Sequence, residues 1–129
     1  MEVSSPNRTV SGNLLRSKFY CCPICGNVIH AMGEAVISCC GVTLPPLEAE
    51  APDETHAITV ETVEDEHFLT IHHEMTKQHY ISFMAWVTGD RVQFVKLYPE
   101  GNAQCRLKLH GMGYLYWYCN RHGLMKQKF

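Results

Sequence analysis

Seven cysteines and eight histidines in a chain of 129 residues are the side chains best suited to chemistry. Four of the cysteines fall into two pairs: Cys22-Pro-Ile-Cys25 is followed by Gly26-Asn27, and Cys39-Cys40 by Gly41. A two-residue spacer lets both thiolates of the first pair face one point, and the glycine lets the backbone turn and bring N–H groups to sulfur. The second pair is adjacent, which makes the angle subtended at a shared ion unusual. Four thiolates suit Zn²⁺ or a single iron, and residue types do not separate the two. Buried free thiols or a disulfide are the plainer alternatives. Cys21 has no such partner and is read as a bystander, and Cys105, on the apolar side of an alternating run, as a small buried hydrophobe.

A second constellation comprises His56, His72, His73, His79, Cys119 and His122. Any one histidine is more often a satisfied surface or core residue than a ligand. As a set, a Cys-x-x-His near the C-terminus with histidine-rich segments upstream is what a mixed nitrogen and sulfur metal site needs. Imidazoles suit Fe, Cu, Zn and Ni, and a thiolate adds soft, electron-donating character. His30, His67 and His110 are read as ordinary surface histidines.

These groups must be positioned by elements that the rest of the chain supplies. Residues 1–17 are polar, punctuated by Ser, Pro, Asn and Gly, and read as a flexible tail. Residues 18–44 hold five cysteines and few apolar side chains, too few for a core without a staple. Three prolines and four acidic residues mark 45–54 as a linker. From 55 to 129 the chain breaks into short alternating runs: His56–Val63, Phe68–His72, His79–Val87, Arg91–Tyr98, Cys105–His110 and Gly113–Cys119. Within His79–Val87, alternation predicts His79, Ile81, Phe83, Ala85 and Val87 on one face and Tyr80, Ser82, Met84 and Trp86 on the other. Several strands at this spacing with no helical period predict an all-β, antiparallel β-sandwich. Lys126–Phe129 reads as a solvated end, and the tyrosines and tryptophan of 114–118 as core and interface.

Composition excludes several functions. Hydrophobic content of 46% is ample for a packed core, so wholesale disorder is excluded. A net charge of −2 argues against a nucleic-acid binder that works by neutralising phosphates. No apolar run approaches the roughly 18 residues of a membrane span. The opening residues carry no secretory h-region, so the expected compartment is the reducing cytoplasm, where thiols hold metal rather than form disulfides.

From Phe19 to Gly123 the chain resembles the desulfoferrodoxins, the two-centre class of the superoxide reductase (neelaredoxin-like) family. The resemblance rests on Cys22-x-x-Cys25-Gly26-Asn27 with Cys39-Cys40-Gly41, on Glu54-Thr55-His56, on His73-Glu74-Met75 with His79-Tyr80-Ile81, and on Cys119-Asn120-Arg121-His122-Gly123. It implies an immunoglobulin-like sandwich preceded by a desulforedoxin-like knuckle, and a homodimer. It implies an Fe(Cys)₄ centre on Cys22, Cys25, Cys39 and Cys40, where Zn is the alternative ion. It also implies a second, catalytic iron with His56, His73, His79 and His122 equatorial and Cys119 axial. His72 has no counterpart in the pattern and is left off the ligand set. The implied reaction is one-electron reduction of superoxide to hydrogen peroxide, with a rubredoxin-like electron donor. Glu54 matches the carboxylate that can close over the oxidised iron. The family's lysine beside the open position, which attracts superoxide, is Thr55 here, and its proline between ligands is Glu74. Both changes weaken anion attraction, so a non-catalytic electron-transfer or redox-sensing module is the alternative reading.

Overall fold

The computed structural model describes residues 13–129. These form twelve strands and divide between Leu47 and Glu48 into two compact units. The expected tail lies outside the described residues except for 13–17, where the Asn13 side chain caps a 3-10 turn over Leu14–Arg16.

In the first unit, β1 (Lys18–Cys21) pairs antiparallel with β2 (Val28–Ala31), and β3 (Ile37–Cys39) with β4 (Val42–Leu44). Its buried cluster is Tyr20, Cys22 and Leu44, with Ile29, Ala31, Ile37, Cys39 and Val42 packed around it. The Tyr20 hydroxyl donates to the Ala35 carbonyl and accepts from the Ala35 N–H, pinning the β2–β3 connection. A cluster this small supplies little folding energy of its own, so the unit needs a further tie.

The second unit is a sandwich. One sheet has the order β10 (Gln104–Leu107), β7 (Glu66–Ile71), β6 (Ile58–Val63). The other runs β5 (Ala49–Glu50), β12 (Gly123–Lys128), β11 (Tyr114–Cys119), β8 (Ile81–Val87), β9 (Val92–Lys96). All pairings are antiparallel except β5 with β12. Leu69, Ile71 and Leu107 from the first sheet meet Ile81, Met84, Trp86, Leu115, Trp117 and Met125 from the second in one core. Each such side chain contributes roughly 1.5–3 kcal/mol relative to leaving it in water. The architecture is the all-β, immunoglobulin-like sandwich preceded by a cysteine knuckle. Among the described residues, no helix is long and apolar enough to cross a membrane.

Three details differ from the sequence expectation. Cys119 pairs with Ile81 but Tyr118 pairs with Phe83, so Ser82 is an extra residue in β8, a β-bulge. Alternation therefore restarts at the bulge: Ile81 shares the core with Met84 and Trp86, not with Phe83. All seven residues of β8 are buried, as befits a central strand. The end read as solvated is β12, whose Leu124 and Met125 are buried and whose Lys126 and Lys128 keep their charges in water. Within the stretch 45–54, Ala49 and Glu50 form an edge strand of the larger sheet.

Candidate metal centres

In the first unit, the backbone after Cys22 makes a tight turn, with the Gly26 N–H donating to the Cys22 carbonyl and the Cys22 N–H to the Asn27 carbonyl, both at 2.9 Å. Gly26 takes φ of 75°, a left-handed value that favours glycine. Adjacent residues of an extended chain point to opposite sides, which would part Cys39 from Cys40. Cys40 instead adopts a left-handed φ of 55°, followed by Gly41 at 75°. That turn brings both sulfurs to one side, and the Sγ atoms of Cys22, Cys25, Cys39 and Cys40 all lie within 4.8 Å of one another. Cys25 and Cys39 sulfurs are 3.6 Å apart, with no disulfide, and the Asn27 amide donates to Cys39 Sγ at 3.7 Å. The Cys25 main-chain N–H heads the influences that hold the Cys22 thiol down to about 7. The crowded thiols of Cys25, Cys22 and Cys39 push Cys40 up to about 12. The cluster resists carrying four negative charges unaided, and a cation among the sulfurs removes that conflict.

In the second unit, four imidazoles stand around a quadrilateral. Neighbouring ring centroids are separated by 4.9 Å (His56–His73), 4.3 Å (His73–His79), 5.0 Å (His79–His122) and 4.8 Å (His122–His56). The His56–His79 diagonal is 6.5 Å. Cys119 Sγ lies 3.5 Å from His73 Nε2 and 3.3 Å from His122 Nδ1, and His79 Nε2 lies 3.2 Å from His122 Nδ1. One donor atom from each of the five falls within 4.8 Å of every other. Neighbouring donors about 2.1 Å from a common ion at right angles would sit roughly 3 Å apart, so the spacing fits one ion.

Each ring is fixed from outside. His56, 1% exposed, ends a 3-10 turn over Glu54–His56 that Asp53 caps. Its Nδ1 faces the Asp53 carboxylate at 2.7 Å, and its carbonyl accepts the Trp117 indole N–H at 2.9 Å. Its Nε2 is buried and without a hydrogen-bond partner. A buried polar nitrogen left bare costs roughly 1–3 kcal/mol, and a metal in the quadrilateral satisfies it. His73 turns its Nδ1 to the Glu74 carbonyl, which leaves Nε2 for the centre. Burial, with the neighbouring imidazoles, holds His73 below the ordinary imidazole range and so in the neutral, ligating form. His79 Nδ1 faces Glu74 Oε2 at 3.3 Å. Asn120 clamps the preceding loop: its Oδ1 accepts the Tyr80 N–H at 2.9 Å and its Nδ2 donates to the Gln78 carbonyl at 3.1 Å. Cys119, fully buried, sits beside the β8 bulge at the end of β11.

The remaining sequence candidates fall around this frame. Glu54 and Thr55 are exposed on the turn that carries His56. The Thr55 hydroxyl is engaged locally, donating to Asp53 Oδ1 at 2.9 Å. His72 is exposed and outside the cluster. His30 and His67 are half-buried rather than superficial: His30 bonds Ser17 at 2.8 Å, and His67 Nδ1 accepts the Leu109 N–H at 3.1 Å. Cys105 is half-buried against the core, its Sγ 3.5 Å from Met84 Sδ. Sequence reasoning missed Asp53, Asn120 and Trp117 as supports. An Asp three residues before a candidate ligand, in capping position, was the available signal for the first.

No family model matches the chain. It is 35% identical over 57 residues to a desulfoferrodoxin of Clostridium acetobutylicum, a match covering 44% of this chain. The chain spans about half the length of that curated relative, 46%. Among solved structures, the superoxide reductase of Treponema pallidum superposes with a TM-score of 0.74 over 87% of this chain and 98% of that one, at 21% identity. The fold is therefore of the superoxide reductase class. Sequence and fold together carry a resemblance to the desulfoferrodoxin and superoxide reductase family.

Proposed function

We propose that the chain is a two-centre, superoxide reductase-type oxidoreductase. His56, His73, His79, His122 and Cys119 would hold one iron, and Cys22, Cys25, Cys39 and Cys40 a second. The observation that carries the reading is the quadrilateral of four imidazole nitrogens with a buried sulfur donor at its side. Iron bound there would supply the one electron that, with two protons, converts superoxide to hydrogen peroxide, passing from ferrous to ferric.

The protein's own part is positional. Asp53, the Glu74 carbonyl and the Glu74 carboxylate take the outward nitrogens of three rings, which turns their other nitrogens inward. The buried Cys119 supplies soft, electron-rich character from the protein side. Glu54 and His122 are both exposed, and Glu54 would be the carboxylate that closes over the open position. The cysteine centre serves as electron relay or structural tie, with Zn the alternative ion. A homodimer, a rubredoxin-like donor and a cytoplasmic setting complete the reading.

A second reading, an iron-binding electron carrier or redox sensor, is favoured by one observation. At the lysine position stands Thr55, whose hydroxyl is bonded to Asp53 and supplies no positive charge. Stopped-flow mixing of the ferrous protein with superoxide separates the two. Fast single-turnover oxidation yielding stoichiometric peroxide is expected; slow oxidation indifferent to superoxide would leave the carrier.

A further inference from the structure

The two rings at opposite corners of the quadrilateral, His56 and His79, are each met from outside by a carboxylate. Asp53 Oδ1 lies 2.7 Å from His56 Nδ1, and Glu74 Oε2 lies 3.3 Å from His79 Nδ1. At His73 the outward contact is to a neutral main-chain carbonyl, and at His56 the Thr55 hydroxyl also lies 2.9 Å from Nδ1, beside the carboxylate. Each carboxylate is held in turn by a threonine. Thr55 donates to Asp53 from both its main-chain N–H, at 3.0 Å, and its hydroxyl, at 2.9 Å. The Thr76 hydroxyl donates to Glu74 Oε2 at 3.1 Å. Two separate segments thus repeat one arrangement: threonine, carboxylate, imidazole, centre.

We propose that Asp53 and Glu74 are paired positioning residues that bias the histidine centre toward its ferric state. This rests on the reading that the five-residue cluster holds iron. A carboxylate on the outer N–H of a ligating imidazole fixes the tautomer and makes the inner nitrogen a stronger donor. Added negative charge beside a metal stabilises its higher charge more than its lower one, because Coulomb energy scales with the charge product. The Asp53 and Glu74 side chains are themselves 64% and 54% exposed, so their influence reaches the centre chiefly through the imidazoles they touch, of which His56 is buried. Thr55 then has a definite place in the design: it locks the carboxylate behind His56. The centre is tuned to give up an electron readily, with a neutral side chain at position 55.

The test is the midpoint potential of the histidine iron in the full chain, for wild type, Asp53→Asn, Glu74→Gln and the double variant. Asparagine and glutamine keep an oxygen that can accept the ring N–H, so orientation persists while charge is lost. Each single variant is expected to retain iron and weaken the ferric preference about tenfold, an upward shift of ~59 mV for a one-electron couple, with the double variant shifting further. Asp53→Ala, which leaves His56 Nδ1 only the Thr55 hydroxyl to hold it, is expected to weaken iron binding roughly tenfold. Glu66→Gln, at the turn end of the β6–β7 hairpin away from His56, controls for bulk charge and should not move the potential. Iron-loaded single and double variants whose potentials match wild type would overturn the inference and leave the iron reading intact. A wild-type chain that takes up no iron at these histidines would overturn both.

Discussion

The indole N–H of Trp117 donates to the main-chain carbonyl of His56 across 2.9 Å, in the interior of the sandwich. This bond ties the turn that carries one ligand candidate to the strand that, two residues later, presents Cys119. A residue of the core and a residue of the site are therefore the same structural device. Trp117→Phe keeps most of the apolar volume but leaves the His56 carbonyl buried without a donor, at a cost of about 1–3 kcal/mol. Urea unfolding monitored by circular dichroism should show the unfolding free energy fall by that amount, through a lower midpoint at an unchanged slope; an unchanged midpoint would mean that the bond does not anchor the turn.

Asn120 holds the loop before β8 by two side-chain bonds, to the Tyr80 N–H and the Gln78 carbonyl. Without them, the loop that aims His79 keeps its own Thr76–His79 turn bonds but loses its side-chain tie to the end of β11. Asn120→Ala is expected to weaken metal binding at the histidine cluster roughly tenfold while the cysteine cluster keeps its ion. Competitive chelation followed by metal analysis checks this. Equal loss from both clusters would point to general unfolding.

Thr55 places a neutral side chain where a positive one would draw superoxide toward the rings. Thr55→Lys should raise the second-order rate with superoxide about tenfold at low salt, and the gain should shrink as ionic strength rises. Pulse radiolysis at several salt concentrations measures it. A salt-independent rate equal to wild type would show that encounter is not steered at this position.

Burial pushes the Cys105 thiol from the ordinary 9.0 up to about 11. Its thiolate fraction near pH 8 is then about 100-fold below that of a free cysteine, since each pKa unit is a factor of ten. Iodoacetamide on the native metal-loaded protein should leave Cys105 unmodified and label it only after unfolding, as read by peptide mass spectrometry. Rapid native labelling would contradict its packing against Met84 and the core.

Much of the fold is legible in the sequence. Strand alternation from Ile58 to Cys119 gave the sandwich, because period-two patterning follows from one buried and one wet face. The five candidate ligands are the set implied by the family resemblance, and their donor atoms do converge. The β8 bulge was not legible: one extra residue at Ser82 shifts every later side chain to the other face, and nothing in ISFMAWV marks it. Strand β12 was hidden because Lys126 and Lys128 look like a wet tail, yet they are the outward half of an alternating strand. Asp53 was hidden in a stretch whose prolines and acids read as linker. Its role depends on the 3-10 turn that brings position 53 back over position 56, a relationship set by backbone geometry rather than by residue type.

The most direct test is metal quantitation after anaerobic iron loading, on wild type and Cys119→Ser. The two-centre reading has wild type hold one ion in each cluster, and Cys119→Ser lose the ion of the histidine cluster while the visible absorption of the cysteine cluster persists. Wild type holding no more than one metal per chain, with Cys119→Ser leaving that content unchanged, would contradict it.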